Sequence, residues 1–438
     1  HRRQKSSYGW QQMKQSGVEW IGKIPEDWKV YRNKNAFICN KEIVGKNSNS
    51  TQLLSLTTGG IKCKDINNAE GKLPESFDTY QYVKKNDVVM CLFDLDMSAV
   101  FSGISQYDGM ISPAYKVLSC QDRANPLFVH YWFSYIFDGR KFNHYAKNIR
   151  YTLNYDEFAT LPILLPPKET QQCIASYLDK KCNKIEETIQ NQQQVIEKLK
   201  AYKQSLITEA VTGKVKIANG KACGEYESYK DSGVEWIGKI PSEWEVKKLK
   251  FSSQIMRGLF SHRPRNDPDY YDGVHPFIQT GEVARAVKYI TTYSQTLNEL
   301  GFSVSREFPA GTVLLTIAAN VGDVAILDFN ACFPDSVIGF YPKENVSKIF
   351  MFYVLKSMKE QFMRNAIIST QMNLNINIVK EEFIPLPSLA EQKEIVKFLE
   401  KKSDYIDTAI EQKQNLIEKL TEYKKSLIYE CVTGKKEI

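Results

Sequence analysis

Two stretches of the chain carry apolar residues at three- and four-residue spacing over many turns. From Lys168 to Val211 they are Leu178, Cys182, Ile185, Ile189, Ile196, Leu199, Leu206 and Ala210, with no Pro or Gly until Gly213. Adding 221 gives Leu399, Ser403, Ile406, Ile410, Ile417, Leu420, Leu427 and Cys431, uninterrupted until Gly434. This is a heptad seam, written twice, on helices of about 65 Å if continuous. Polar residues break it at matched points, Gln192 with Lys413 and Lys203 with Lys424. Such breaks weaken a coiled coil but fix its register and partner. The matched seams predict that the helices pack on each other, antiparallel because a whole domain separates them. The alternative is that each packs on its own domain.

Outside the helices the pattern is short and sheet-like. Runs such as Asp87–Leu92, Gly311–Ile317 and Val337–Tyr341 are apolar and bounded by Gly, Asn and Asp, so residues 29–165 and 245–386 read as mixed α/β with much sheet. Pro162, Pro166 and Pro167, then Pro385 and Pro387, separate these stretches from the helices. The chain also repeats itself literally. SGVEWIGKIP occupies Ser16–Pro25 and Ser232–Pro241, each followed by a Trp (Trp28, Trp244), while EKLKAYKQSLITEAVTGK from Glu197 matches EKLTEYKKSLIYECVTGK from Glu418. The closing TGK of each reads as a helix end with Gly at C′. A period of half the chain means two copies of one domain. Weaker matches join Thr58-Gly59-Gly60-Ile61 to Thr280-Gly281-Glu282-Val283, Asn86-Asp87-Val88-Val89 to Gly311-Thr312-Val313-Leu314, and residues 148–154 to 369–375. Apolar positions persist and polar ones change. The expected fold class is α+β: two tandem domains of mixed α/β character, each followed by a long helix, the helices in an antiparallel coiled coil with pseudo-two-fold symmetry. The expected boundaries are 1–165, 166–213, 214–386 and 387–438.

Composition alters this little. With 438 residues, 42% hydrophobic and 25% charged, the chain can bury two cores. No apolar run approaches the roughly 18 residues of a membrane span, and the basic HRRQKSSYGW has no apolar run behind it, so no signal peptide is expected. The missing initiator Met suggests a trimmed chain. Nine cysteines without a CxxC pair argue for reduced thiols in a cytoplasmic protein. A net charge of +7 permits a polyanion partner without demanding one.

Catalytic constellations are missing from the sequence. There is no GxGxxG, no GxxxxGK[ST] and no HExxH, the five histidines are scattered, and no Asn-Pro-Pro-aromatic motif of amino-methyltransferases occurs. Asp94 and Asp96 read as a turn, and Asp335 lies far in sequence from Glu391. No catalysis and no metal site are expected. Binding chemistry is better represented. Arg257, His262, Arg263 and Arg265 fall in one Gly- and Pro-containing segment, expected to be an exposed basic loop; Arg suits bidentate phosphate or guanine contact. Gln371, Asn373 and Asn375 form a polar comb, and Gln and Asn pair with adenine. Ser369, Thr370, Arg285, Asn320 and the Thr280-Gly281 pair are counted with them. In the first copy the candidates are Thr58, Gly59, Lys62 and Lys64, then Lys147, Arg150, Tyr151 and Thr152. Recurrence at corresponding points of both copies favours nucleic acid.

SGVEWIGKIPEDW, the helix starts LPPKETQQCIASYLDKK and LPSLAEQKEIVKFLEKK, the run GTVLLTIAANVGDVAI…DSVIGFYP and STQMNLNINIVKEEFIPLP together resemble the specificity subunit of type I restriction–modification enzymes. The resemblance covers essentially the whole chain. It implies a non-catalytic reader of double-stranded DNA with two target-recognition domains, one per half of a split asymmetric target, and helices that set the spacer. It implies two methyltransferase subunits as partners, with restriction motor–nuclease subunits in the full complex. No cofactor is expected on this chain; S-adenosylmethionine, ATP and Mg would sit on the partners. The first copy departs at Thr170-Gln171-Gln172, against Glu391-Gln392-Lys393, and at Arg150-Tyr151-Thr152, against Gln371-Met372-Asn373, so its polar contacts carry over least. The rival reading is a two-headed protein adaptor without DNA specificity.

Overall fold

The computed structural model describes residues 12–65, 74–146, 151–368 and 372–438. The chain divides into two compact units, His1–Gln193 with Gln414–Ile438, and Gln194–Lys413. Each unit therefore owns the beginning of one long helix and the end of the other.

In the first unit, strands β1 (Phe37–Asn40), β2 (Val88–Met90), β3 (Ser102–Ile104) and β4 (Lys116–Cys120) form an antiparallel sheet in the order β1-β4-β2-β3. Alternation along β2 explains its complete burial: Val88 and Met90 join the core of helix α1 (Pro126–Asp138) with Phe128, Trp132 and Phe133. Val89 faces the other way, onto Leu54, Leu56 and Ile61 of the Leu54–Cys63 hairpin. Asn125 caps α1, its side chain accepting from the Leu127 and Phe128 amides, and Pro126 occupies the first turn.

The second unit repeats the plan. Strands β5 (Ser253–Arg257), β6 (Tyr289–Ile290), β7 (Val313–Thr316), β8 (Val324–Leu327) and β9 (Val337–Pro342) run in the order β5-β9-β7-β8-β6, antiparallel except for the last pair. Val313 and Leu315 pack on helix α3 (Lys348–Ser357) with Phe350 and Leu355, while Leu314 packs on the opposite face with Val283 and Phe308. The strand matches read from Asn86–Val89 and Gly311–Leu314 hold: both segments lead into the sheet strand that pairs with β4 or β9.

The long helices are α2 (Lys168–Val211) and α4 (Leu389–Val432), each of 44 residues. Leu178, Cys182 and Ile185 share a core with Leu427, Ile428, Cys431 and Val432 in the first unit. Ile207, Ala210 and Val211 share one with Ile395, Val396 and Leu399 in the second. In both, the start of one helix meets the end of the other, so the pairing is antiparallel. The seam departs from expectation near the helix ends. Leu199 and Leu206 are only half-buried, whereas Ile207, Val211, Ile428 and Val432 are buried. There the repeated SGVEWIGKIP segment and the Trp that follows it cover a second side of the helix: Ile237, Ile240 and Trp244 pack on Ile207 and Val211, which widens the buried face.

Lys203 and Lys424, which interrupt the seam, have partners across it. Lys203 Nζ lies 2.6 Å from Asp407 in the second unit, and Lys424 Nζ 2.5 Å from Glu186 in the first. Positions 186 and 407 correspond, so one cross-helix ion pair is built twice. Each helix ends in the expected glycine. Gly213 (φ +71°) and Gly434 (φ +70°) are left-handed, and Lys214 and Lys435 donate back to Glu209 and Glu430 carbonyls in Schellman fashion. A Cβ on Gly213 would lie 2.4 Å from Pro241 Cδ, and one on Gly434 2.4 Å from Pro25 Cδ, with Trp244 and Trp28 next in line. Among the described residues, no helix is long and apolar enough to cross a membrane.

Candidate nucleic-acid interface

Arg257, Thr316, Val324 and Val337 all mark the same end of the second unit's sheet, because β5, β9, β7 and β8 alternate in direction. The Ile317 amide donates to Ser336 O at 2.9 Å, and the Gly258 amide to Val337 O at 2.9 Å. Asn320 sits exposed in the turn between β7 and β8. Thr316, fully buried beneath it, holds that turn: its hydroxyl accepts from the Asp323 amide at 3.1 Å and donates to Asn320 O. Asn373, exposed, pairs with Ala318 in an antiparallel bridge, and the Leu374 amide donates to Ile317 O at 2.7 Å. The fold thus gathers Arg257, Arg263, Arg265, Asn320 and Asn373 at one sheet end.

The basic loop is less free than its sequence suggests. Arg263 Nη2 lies 3.5 Å from Asp335 Oδ2, Arg265 Nη2 pairs with Asp335 Oδ1, and Arg257 Nε donates to the Asp335 carbonyl at 2.6 Å. His262 stacks on Tyr270, ring centroids 3.8 Å apart, and bonds Asp267 at 2.9 Å. Thr280, Gly281 and Arg285 are placed differently. They belong to a short helix, Thr280–Arg285, packed on β7 and β8, where Arg285 lies 3.2 Å from the buried Glu282. Thr58 and Gly59, their sequence matches, instead form a hairpin turn in which Thr57 Oγ1 accepts from the Gly59 amide at 3.2 Å. The two TG segments keep a buried apolar partner, Ile61 and Val283, and differ in backbone. Behind the Asn320 turn, burial pushes the Lys356 ammonium down to about 8, with Lys203 adding to the shift and Asp407 and Asp323 opposing it. Lys359 closes the same turn through Asp323 at 2.6 Å.

In the first unit the matching place is the loop after β2. The Leu153 amide donates to Leu92 O at 2.8 Å, the counterpart of Leu374 to Ile317. The Asp94 amide approaches Thr152 Oγ1 at 3.4 Å, Tyr151 is exposed with φ +46°, and Arg140 donates to Leu95 O. Asp94 itself ends as a turn, Ser98 N–H bonding its carbonyl at 2.7 Å. Thr58 and Gly59 border a groove of about 670 Å³ also lined by Asp138, Asp179, Glu186, Lys424 and Lys425. Burial raises the Asp138 carboxyl there against the pull of Lys425 and Lys424, and burial lowers His130. Lys62 is exposed with its ammonium folded toward the turn, and the Lys64 amide donates to Leu53 O at 2.8 Å. Lys147, Arg150, Ser369, Thr370 and Gln371 lie outside the described residues.

Comparison with known proteins shows what this duplicated arrangement is similar to. Residues 241–420 match the family described as the type I restriction modification DNA specificity domain. That segment is similar to a type I specificity domain. Over 88% of this chain and 89% of its own length, the type I restriction enzyme MjaX specificity subunit of Methanocaldococcus jannaschii is 25% identical. The MjaIX specificity subunit of the same organism is 32% identical over 180 residues, 40% of each chain. A solved chain described under complex assembly and conformational transition of the type I R-M system shares the fold, with a TM-score of 0.71 over 93% of this chain and 98% of its own, at 14% identity. The resemblance to type I specificity subunits read from the sequence is borne out.

Three residues, two in the second unit and one in the first, were given no role in the sequence. Asp335 organises the arginines, a role hidden by its separation from them along the chain. Gln392, fully buried, bonds Ser347 N, Asn345 O and Pro387 O at 2.8, 2.9 and 3.0 Å. Gln171 does the same with Asn125 N, Arg123 O and Pro166 O, each at 2.8 Å. The apparent departure of Thr170-Gln171-Gln172 from Glu391-Gln392-Lys393 thus spares a buried glutamine that ties each long helix to its domain.

Proposed function

We propose that this chain is the non-catalytic DNA reader of a type I restriction–modification complex, and that each unit reads one half of a bipartite, asymmetric target. The observation that carries this is the doubled loop anchorage: Leu153 to Leu92 and Leu374 to Ile317 hold the same loop in both units, yet the side chains presented differ, Tyr151 and Thr152 against Asn373 and Asn320. One scaffold with two chemistries suits two different half-sites. Arg257, Arg263, Arg265, Asn320 and Asn373 serve the second half-site. Tyr151 and Thr152 serve the first, flanked by Lys147 and Arg150, as Ser369, Thr370 and Gln371 flank the contacts to the second. Phosphate contacts by the cations give salt-sensitive affinity and base-edge contacts give sequence choice. Residues 166–213 and 387–438 act as the spacer element between recognition domains at 1–165 and 214–386. Two methyltransferase subunits supply S-adenosylmethionine and adenine methylation, motor–nuclease subunits supply ATP and Mg, and the complex works in the cytoplasm.

Mapping adenine methylation genome-wide in a host carrying this chain with its methyltransferase tests the reading. A single split, non-palindromic motif is expected; a palindrome, or methylation without sequence preference, overturns it. The purified chain, incubated with DNA, Mg²⁺ and S-adenosylmethionine, should leave the DNA uncut and unmethylated.

A further inference from the structure

A carboxylate at a DNA-facing sheet end opposes a polyanion, so Asp335 needs a reason. Arg263 is 52% exposed, Arg265 45% and Asp335 31%, so the guanidiniums are within reach of an incoming phosphate. Partly exposed ion pairs of this kind are weak enough for another anion to replace them. The loop beneath is held independently of Asp335. Phe260 packs on Phe277 at 5.3 Å, His262 is fixed between Tyr270 and Asp267, and Arg263 Nη1 donates to Phe260 O at 2.6 Å and His262 O at 2.7 Å. The arginines can therefore exchange anions while the loop stays folded.

The exchange has a consequence for Asp335. A phosphate that takes Arg263 and Arg265 strands the carboxylate beside the DNA backbone, which is unfavourable on arbitrary sequence. A base edge that offers an amino donor in the major groove, above all cytosine N4, removes that penalty because Asp accepts from it. We propose that Asp335 is a specificity-determining residue that withholds Arg263 and Arg265 from phosphate until a base amino group satisfies its carboxylate. This rests on the proposed function. It places discrimination in a cost imposed on wrong sequences as well as in contacts to the right one.

The test uses the full chain with its methyltransferase subunits, a duplex carrying the mapped target, and a scrambled duplex, each titrated with salt. Asp335→Asn keeps the carbonyl that Arg257 uses, and a thermal melt reports that the variant is folded. It should bind scrambled duplex about tenfold more tightly, with a log K against log salt slope steeper by about 0.9 for each guanidinium released. Its preference for the target should fall, and adding Arg263→Gln and Arg265→Gln should abolish the gain. Independently, Arg263→Gln with Arg265→Gln in the otherwise unchanged chain should weaken target binding by a larger factor than scrambled binding. A folded Asp335→Asn with unchanged or weaker scrambled binding overturns the proposal, as does equal loss on both duplexes in the double arginine variant. A parent complex that binds neither duplex overturns the proposed function, and the inference with it.

Discussion

At the scale of single residues, two buried polar side chains with complete hydrogen bonding tie the long helices to their domains. Gln171 and Gln392 each satisfy one amide and two carbonyls where a long helix meets its domain. Truncation leaves all three without that partner at a buried position, and stranded buried groups cost more than the bonds were worth. Gln171→Ala or Gln392→Ala should destabilise its own unit by about 2–4 kcal/mol, read as a shifted urea midpoint for that unit; a shift within error would show that water takes over the bonds. Lys356 makes the opposite case, a charge the fold tolerates at a cost. Burial lowers it to about 8 from 10.5, so the unfolded chain binds more protons between those values and stability rises with pH across that window. Below about pH 8 the penalty is present in full. Lys356→Met should therefore stabilise the second unit at pH 7 by about 1–2 kcal/mol, and the advantage should vanish toward pH 10.5. An advantage independent of pH would mean that packing, not charge, was at issue.

At the scale of elements, what was legible in the sequence depended on how local its cause is. A heptad seam repeats every seven residues, so both long helices, their ends and their antiparallel pairing could be read directly, as could the Gly213 and Gly434 caps. The strands at Val88–Met90, Val313–Thr316 and Val337–Pro342 were likewise legible from short apolar runs. Long-range pairings were not. Asp335 reaches arginines some seventy positions back, and nothing in the spacing marks it. The Thr58-Gly59 and Thr280-Gly281 match misled because backbone shape there is set by neighbours, a hairpin in one unit and a helix in the other. The helix ends also explain why SGVEWIGKIP is kept twice: its last proline, with the tryptophan three residues on, closes over each cap glycine. Gly434→Ala forces a side chain into a left-handed residue and into Pro25, and the conformational part alone is worth about 1–2 kcal/mol. A loss of about 2–4 kcal/mol in the first unit is expected with the contact included, with the second unit's transition unmoved; the equivalent Gly213→Ala should reverse which unit melts early.

For the whole molecule, duplication separates two requirements that compete in a single domain. The scaffold can stay fixed, carried by the sheet, the capped helices and the twin ion pairs Lys203–Asp407 and Lys424–Glu186, while each unit's loops vary for their own half of the target. Under the proposed function the third variable, the distance between half-sites, belongs to neither set of loops and falls to the helices. Removing one heptad from each helix at corresponding places, residues 187–193 and 408–414, takes out about 10 Å while returning the remaining residues to nearly the same helix face, since seven residues are close to two turns. Lys424, Glu186, Lys203 and Asp407 all survive that change, so the cross-helix pairs can re-form. The methylated motif should keep both half-sites and lose about three base pairs of spacer, at roughly 3.4 Å each. Sequencing the methylation pattern of the shortened chain decides it: altered half-sites would show that the helices take part in base choice, and an unchanged spacer would mean that something other than their length measures the gap.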